Sequence, residues 1–401
     1  MKSKILALAL FAFTAASVAL YPACQSTGAT NTATQTTTTI STGIPRHSSI
    51  EVVFVLDTTG SMSGLIQAAK EKIWSIASTM AAAQPAPEIR MGLIAYRDRG
   101  DAYVTRVLDL SDDLDSMSVS LMDFQANGGG DGPESVNKAL YDAVHNVSWS
   151  EDQNVYKVVF LVGDAPPHMD YQDDVKYPET LALALTKGIV VNAIQCGQNR
   201  VTTDGWQQIA QLGQGRYFQV AQAGDAVTIA TPFDKNIAVL SEKLDHTRLY
   251  YGDAEDREKQ QSKVAATDRL HAVSSFASRA RRAVFNSSKS GENNFLGEGE
   301  LVDDIASGRV KLSDIDKDQL PASMQAMAPT QQKALVEETA LRRSELQNQI
   351  AELSKKRSDY LRKKVEEAGG ASDSLDEKIY SAVREQAGKK GLRYDADAAA
   401  Y

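Results

Sequence analysis

The run Val52-Val53-Phe54-Val55-Leu56 has no polar break and ends on Asp57. A strand that is apolar at every position must be covered on both faces, which is the situation of parallel sheets flanked by helices. Val155 to Val162 (VYKVVFLV) is a second run of this kind, closing on Gly163-Asp164, and Ile189 to Ile194 is a third. Ile89 to Tyr96 and Arg216 to Val220 read as further strands, and Tyr103 to Leu108 as an edge strand. Helical patterns fall between them. Ile66, Ala69, Ile73, Ile76, Ala77 and Met80 recur at mostly three- and four-residue steps, as do Val136, Ala139, Leu140, Ala143, Val144 and Val147. Pro85 and Pro87 stop the first of these helices, Pro133 suits the first turn of the second, and Ser111-Asp112-Asp113 reads as a cap. Thr180 to Thr186 and Asp204 to Leu212 are shorter helices. The expected class is α/β, a doubly wound and mostly parallel sheet, followed by an α-helical C-terminal region.

The first residues are read separately from the fold. Lys2 and Lys4 precede the apolar stretch Ile5 to Leu20, and small residues follow. That order is a secretory signal peptide, assigned to residues 1–23. The stretch is short for a bilayer span, which needs about 20 apolar residues, and no other stretch is apolar enough. Cys24 comes next. The segment is similar to a bacterial lipoprotein signal, in which the Cys becomes the lipidated first residue. Ala23 suits that pattern, whereas Tyr21 stands where such signals usually carry Leu. The alternative is ordinary cleavage nearby, with Cys24 left as a free thiol. Ser26 to Thr42 is rich in Ser, Thr, Ala, Asn and Gln, so residues 24–47 are expected to be a tether. The expected location is the bacterial periplasm or cell surface, anchored to a membrane through lipidated Cys24, or else secreted and soluble.

In an open α/β sheet, ligands bind beyond the carboxyl ends of the strands. Two strands deliver an acid there, Asp57 and Asp164. Asp57-Thr58-Thr59-Gly60-Ser61 sets one carboxylate and two hydroxyls on alternate residues of one loop. A glycine-rich acidic stretch, Asn127 to Glu134 (NGGGDGPE), lies between the two in sequence. Hard oxygen donors of this type suit Mg²⁺ first, with Ca²⁺ or Mn²⁺ as alternatives. No Cys/His cluster suggests zinc. Taken alone, Asp57, Thr59 and Ser61 also fit a plain helix cap. His168 is read as a structural or rim residue, and Arg97-Asp98 as a surface ion pair or as part of the rim.

Asp57-x-Thr59-x-Ser61 resembles the metal-ion-dependent adhesion site of von Willebrand factor A (VWA) domains, whose usual form is Asp-x-Ser/Thr-x-Ser. Asp164 matches the family's later Asp, and the strings DTTGSM, GGGDGPES and GDAPPH resemble a VWA subgroup found in bacterial and other proteins. The resemblance covers residues 48–245. It implies a metal held by Asp57, Thr59 and Ser61, with Asp131 and Asp164 direct or through water. The family has a Thr in the middle loop where this chain has Asp131, or Glu134 in an alternative alignment. Either adds a carboxylate that offsets more of the cation's charge.

The enzyme classes considered lack their marks. Thr59 stands where a dehalogenase-type phosphatase needs its second Asp, and Met62 fills the centre of Gly60-Ser61-Met62-Ser63-Gly64, which is therefore no nucleophile elbow. No Walker loop or His-Glu-x-x-His occurs. The chain is expected not to be an enzyme. A net charge of −9 with no basic block argues against nucleic acid as a partner.

Residues 246–330 read as a mixed helical and linker region without a chemical motif. Pro329 opens a helix to about Glu367, with a narrow stripe of Leu346, Ile350, Leu353, Tyr360 and Leu361. Gly369-Gly370 breaks it, and Ser374-x-x-Glu377 caps another helix carrying Ile379 and Val383. Residues 331–401 are thus expected to be a helical hairpin or short coiled coil, either self-packing or an interaction arm. The expected function is metal-dependent binding of an unknown protein or surface ligand outside the cytoplasm, through an acidic side chain of the partner at the metal. The alternatives are an envelope-assembly lipoprotein whose metal only stabilises loops, and, ranked below it, a metal-assisted hydrolase.

Overall fold

The continuous apolar strands assemble side by side, as their lack of a polar face requires. The computed structural model describes residues 48–130, 132–223, 229–367 and 374–395. The expected signal peptide, the tether and Cys24 lie outside them, as does Asp131. The elements are β1 (Ser49–Asp57), α1 (Ser63–Ala81), β2 (Glu88–Tyr96), β3 (Thr105–Ser111), α2 (Leu114–Met122), α3 (Val136–His145), β4 (Tyr156–Gly163), α4 (Tyr177–Thr186), β5 (Ile189–Cys196), α5 (Arg200–Leu212) and β6 (Gln214–Val220). They continue with α6 (Asp234–Asp245), α7 (Ala254–Val273), α8 (Phe276–Asn286), α9 (Glu292–Leu296), α10 (Leu301–Ala306), α11 (Pro329–Glu367) and α12 (Leu375–Gly388).

The sheet order is β3-β2-β1-β4-β5-β6. All neighbours are parallel except β3, which runs antiparallel at the edge beside β2. Along β1 the faces alternate. Ile50, Val52, Phe54 and Leu56 enter the core shared with α1 and α2. Val53 and Val55 enter the opposite core, with residues of α3, α4 and α5. This two-sided burial explains why the strand sequence shows no period of two. β1 and β4 lie next to each other at the centre, so Asp57 and the residue after Gly163 emerge at the same edge. The doubly wound α/β class with a helical C-terminal region is what the structure has.

The last helix departs from the expectation of a hairpin or free arm. Leu375, Ile379, Ala382, Val383 and Ala387 of α12 are buried in the same core as β1, β4 and α1. Three polar side chains fix its register. Gln386 Oε1 accepts from Tyr156 OH at 2.7 Å and from Asn192 Nδ2 at 3.1 Å, and Gln386 Nε2 donates to Asn192 Oδ1 at 2.7 Å. Lys72 of α1 pairs with Asp376 at 2.7 Å, both buried. Beyond the helix, Arg393 exchanges two backbone hydrogen bonds with Gln84. The long helix α11 runs as expected from Pro329, but its stripe serves a different core. Leu346 and Ile350 pack with Ile237 and Leu244 of α6, with Ala280 and Ala283 of α8, and with Phe295. The stretch expected as a mixed helical and linker region forms α7 to α10, and the described residues belong to one compact unit. No helix among the described residues is long and apolar enough to cross a membrane.

Gln386→Ala removes both hydrogen-bonding atoms at once and strands buried groups on Tyr156 and Asn192. It is expected to lower unfolding stability by about 1–3 kcal/mol, as read from urea denaturation.

Candidate metal-binding site at the carboxyl edge of the sheet

The loop after β1 turns sharply because Asp57 folds back on it. Asp57 Oδ1 accepts from Thr59 N at 2.8 Å and from Thr59 Oγ1 at 2.7 Å. Thr59 Oγ1 lies 3.4 Å from Ser61 Oγ. The chain then enters a short 3-10 turn, Gly60–Met62, which runs into α1. Neither helical start is capped by a side chain. Asp57, Thr59 and Ser61 therefore do not form the simple helix cap that their types also permit, and their oxygens gather at the loop instead.

The surroundings hold this loop from below. Thr58 N and Thr58 Oγ1 both donate to Tyr96 O at 2.9 Å. Arg97 Nε donates to Thr58 O at 3.1 Å and Arg97 Nη2 to Gln125 O at 2.7 Å. Gly60 N donates to Gly128 O, and Asn127 N to Thr58 O, so the glycine-rich loop is laced to the first loop through backbone atoms. Gly128 and Gly129 have φ of +79° and +80°, a conformation that side chains disfavour. Gly129 N donates to Asp101 Oδ2 at 3.0 Å.

Asp164 follows β4. Its carbonyl accepts from Thr202 Oγ1, and its Oδ2 accepts from Gln222 Nε2 at 2.6 Å. Gln222 Nε2 also reaches Ser61 O at 3.3 Å, which straps the two acid-bearing loops together. Glu134 is buried, anchored by its backbone to Pro166 and His168. Its Oε1 faces the Gly129 backbone next to Thr59. The structure thus gathers Asp57, Thr59, Ser61, Asp164 and Glu134 around one edge of the sheet.

Two of these carboxylates are poorly satisfied. Asp57 Oδ2 and Glu134 Oε2 are buried with no hydrogen-bond partner among the described residues. Burial, with the charge of neighbouring Asp164, pushes the Asp57 carboxyl up to about 7 against hydrogen bonds from Thr59 and from the Asp164 backbone. Burial and the charges of Asp57, Asp98 and Asp101 push Glu134 up to about 9. The nearby Tyr96 hydroxyl is also buried without a partner. Among the described residues, no three His, Cys, Asp or Glu side chains come together closely enough to hold a metal ion by themselves. What converges is a mixed set of carboxylates and hydroxyls.

The structure corrects the reading of Arg97 and Asp98 as a surface pair. Both are buried. Arg97 braces the site loops as described, while Asp98 accepts from Ser135 Oγ and Tyr171 OH, each at 2.8 Å. Asp98 also lies 3.3 Å from His168 Nε2. His168 is stacked on Tyr171 and is structural. Sequence reasoning missed Asp101 and Gln222. No spacing signal marks either, since each acts from a turn remote in sequence from the loop it holds.

Gly163 is where the site tolerates least. A Cβ there would stand 2.4 Å from Tyr96 OH and 3.0 Å from Asp57 Cβ. Gly163→Ala is expected to displace Asp57, to cost about 1–3 kcal/mol by urea denaturation, and to weaken any cation response of the melting temperature.

Residues 51–232 match the model of the von Willebrand factor A domain family, and the chain carries a VWA domain over that stretch. No curated protein matches the chain. Among solved structures, proximal thread matrix protein 1 from the mussel byssus is 16% identical, with a TM-score of 0.35 over 44% of this chain and 42% of that one. The same mussel protein with a zinc-occupied MIDAS motif, the metal-ion-dependent adhesion site, is 18% identical, with a TM-score of 0.35 over 43% and 42%. The SpRpn10 VWA domain is 12% identical, with a TM-score of 0.34 over 45% of this chain and 99% of that one. This chain thus spans less than half the length of the mussel protein.

Proposed function

We propose that the domain is a metal-dependent binding module for a protein or surface ligand. The observation that carries this reading is Asp57 Oδ2, a buried carboxylate oxygen at the carboxyl edge of the sheet without a hydrogen-bond partner among the described residues. An orphaned buried anion is costly, and a cation answers that cost directly. The donor set is all oxygen, which fits a hard divalent ion, Mg²⁺ before Ca²⁺ or Mn²⁺. Asp57, Thr59 and Ser61 would hold it, with Asp164 and either Glu134 or Asp131 direct or through water. When bound, the ion supplies a positively charged coordination point for an acidic side chain of the partner. VWA domains typically mediate protein–protein binding, in keeping with this role.

The module acts as a binder and not a catalyst, outside the cytoplasm, on a lipid anchor at Cys24. The absence of a sequence motif pairing Ser61 with a base supports the first point, and the leader-like residues 1–23 support the others. The test is capture of envelope proteins by the full chain, with and without chelator. Partners recovered with Mg²⁺, lost in chelator and lost with Asp57→Ala are the expected result. Capture indifferent to both refutes the reading, and turnover of phosphoesters or peptides would replace it with a hydrolase.

A further inference from the structure

Away from the strand ends, α1, α8, α11 and α12 enclose a cavity of about 190 Å³. Ser75 and Ser78 of α1, Ser354 and Arg357 of α11, and Tyr380 of α12 line it. Helix junctions of this kind are ordinarily filled by apolar side chains, and buried polar atoms ordinarily have partners. Here Ser75 Oγ, Ser78 Oγ, Ser354 Oγ and Arg357 Nη2 are all buried, and none has a hydrogen-bond partner among the described residues. All four can donate.

Three acids, Asp234, Asp376 and Glu71, stand among the cations around the cavity. Lys72 is taken by Asp376, and Arg357 Nε by Asp234, each at 2.7 Å. Arg281 of α8 stands close enough to Arg357 to repel it electrostatically, and its Nε and Nη1 are buried without a partner. The described residues give Arg281 no ion pair. Glu71, which with Asp234 and Asp376 attracts Arg281, accepts from Ser275 Oγ. Asp376 Oδ1 is an acceptor without a partner. Neither acid lines the cavity. Asp234 takes only the Nε of Arg357, and its Nη2 still needs an acceptor, which water or an anion could supply.

We propose that this cavity binds a small tetrahedral oxyanion of the phosphate or sulfate type. Arg357 Nη2 would supply a charge-assisted hydrogen bond and the three serine hydroxyls the remaining donors. The site is separate from the metal loop and independent of the function proposed for it. It would couple anion binding to the docking of α11 and α12, because its walls come from both.

The test uses the full chain in chelator, titrated with inorganic phosphate at constant ionic strength and followed by phosphorus NMR line width and by melting temperature. The expected result is saturable binding, a rise of a few degrees at saturation, competition by sulfate and none by chloride. Ser75→Ala with Ser354→Ala touches no ion pair, so the fold should survive. That double variant should weaken phosphate at least about tenfold, as loss of two hydrogen bonds to a charged group implies. No saturable binding, or binding unchanged in the double variant, would overturn the proposal and leave the cavity to water.

Discussion

Asp57→Asn is expected to abolish stabilisation by divalent cations without weakening the metal-free fold. In the parent protein, saturating Mg²⁺ should raise stability by about 2.7 kcal/mol at a hundredfold excess over Kd. The variant should melt at one temperature with or without Mg²⁺. The amide keeps the Oδ1 acceptor that receives Thr59 N and Thr59 Oγ1. It also replaces the buried, partnerless Oδ2 with a neutral group. Removing an uncompensated buried charge is neutral or stabilising, so in chelator the variant should be at least as stable as its parent. Most substitutions at fully buried polar positions destabilise, which makes this pairing of outcomes a sharp one. A variant that still responds to Mg²⁺, or that collapses in chelator, would show that Asp57 is a structural residue.

The second large effect lies at the seam between the sheet domain and the C-terminal helices. Arg282 of α8 is fully buried between Asp115 of α2 and Asp245 of α6. Its Nε donates to Asp115 Oδ1 at 2.6 Å and its Nη1 to Asp245 Oδ2 at 2.7 Å. Thr267 Oγ1 adds a donor to Asp115, and His271 Nε2 lies 2.7 Å from Asp245 Oδ2. Arg282→Met fills similar space and leaves two buried carboxylates with no guanidinium between them. The expected loss at pH 7 is about 3–5 kcal/mol. Its pH dependence has a definite sign. Burial pushes both carboxyls up, but Arg282 outweighs it and holds them below their ordinary value. The pair therefore stabilises the parent above the unfolded carboxyl value, near pH 4, and that contribution fades as pH falls towards the lower folded values. In the variant, the burial of Asp115 is opposed only by Lys263 and by hydrogen bonds from Thr267 and Asn294, so protonation relieves it. The gap between parent and variant should be widest near neutrality and should narrow below about pH 4. Urea denaturation at pH 7 and pH 3.5 reads both quantities, and a gap independent of pH would contradict the account.

These effects sit at different depths of legibility. The β1 run announced itself because both faces of the strand are covered, so its burial is written residue by residue. The candidate metal loop was legible because its oxygen side chains alternate within five residues, Asp57 to Ser61, and Asp164 follows an equally plain strand. Glu134 was visible only as an alternative to Asp131. What brings it to the site is backbone pairing with Pro166 and His168, which leaves no spacing in sequence. Arg97 looked like a surface residue because a charged pair after a strand usually is one. Its burial follows from two carbonyls, Thr58 O and Gln125 O, that no sequence pattern reveals. The docking of α12 was hidden for another reason. Ile379 and Val383 form the same stripe whether the helix covers a sheet or a neighbouring helix. The choice is made by Gln386 meeting Tyr156 and Asn192.

One divalent cation is expected where the loops after β1 and β4 meet. Titration of the full chain with Mn²⁺, counting bound ion by electron paramagnetic resonance, addresses it most directly. One site per chain, displaced by Mg²⁺ and lost in Asp57→Asn, is the predicted result. Binding that is absent, or that persists undiminished in that variant, would contradict it.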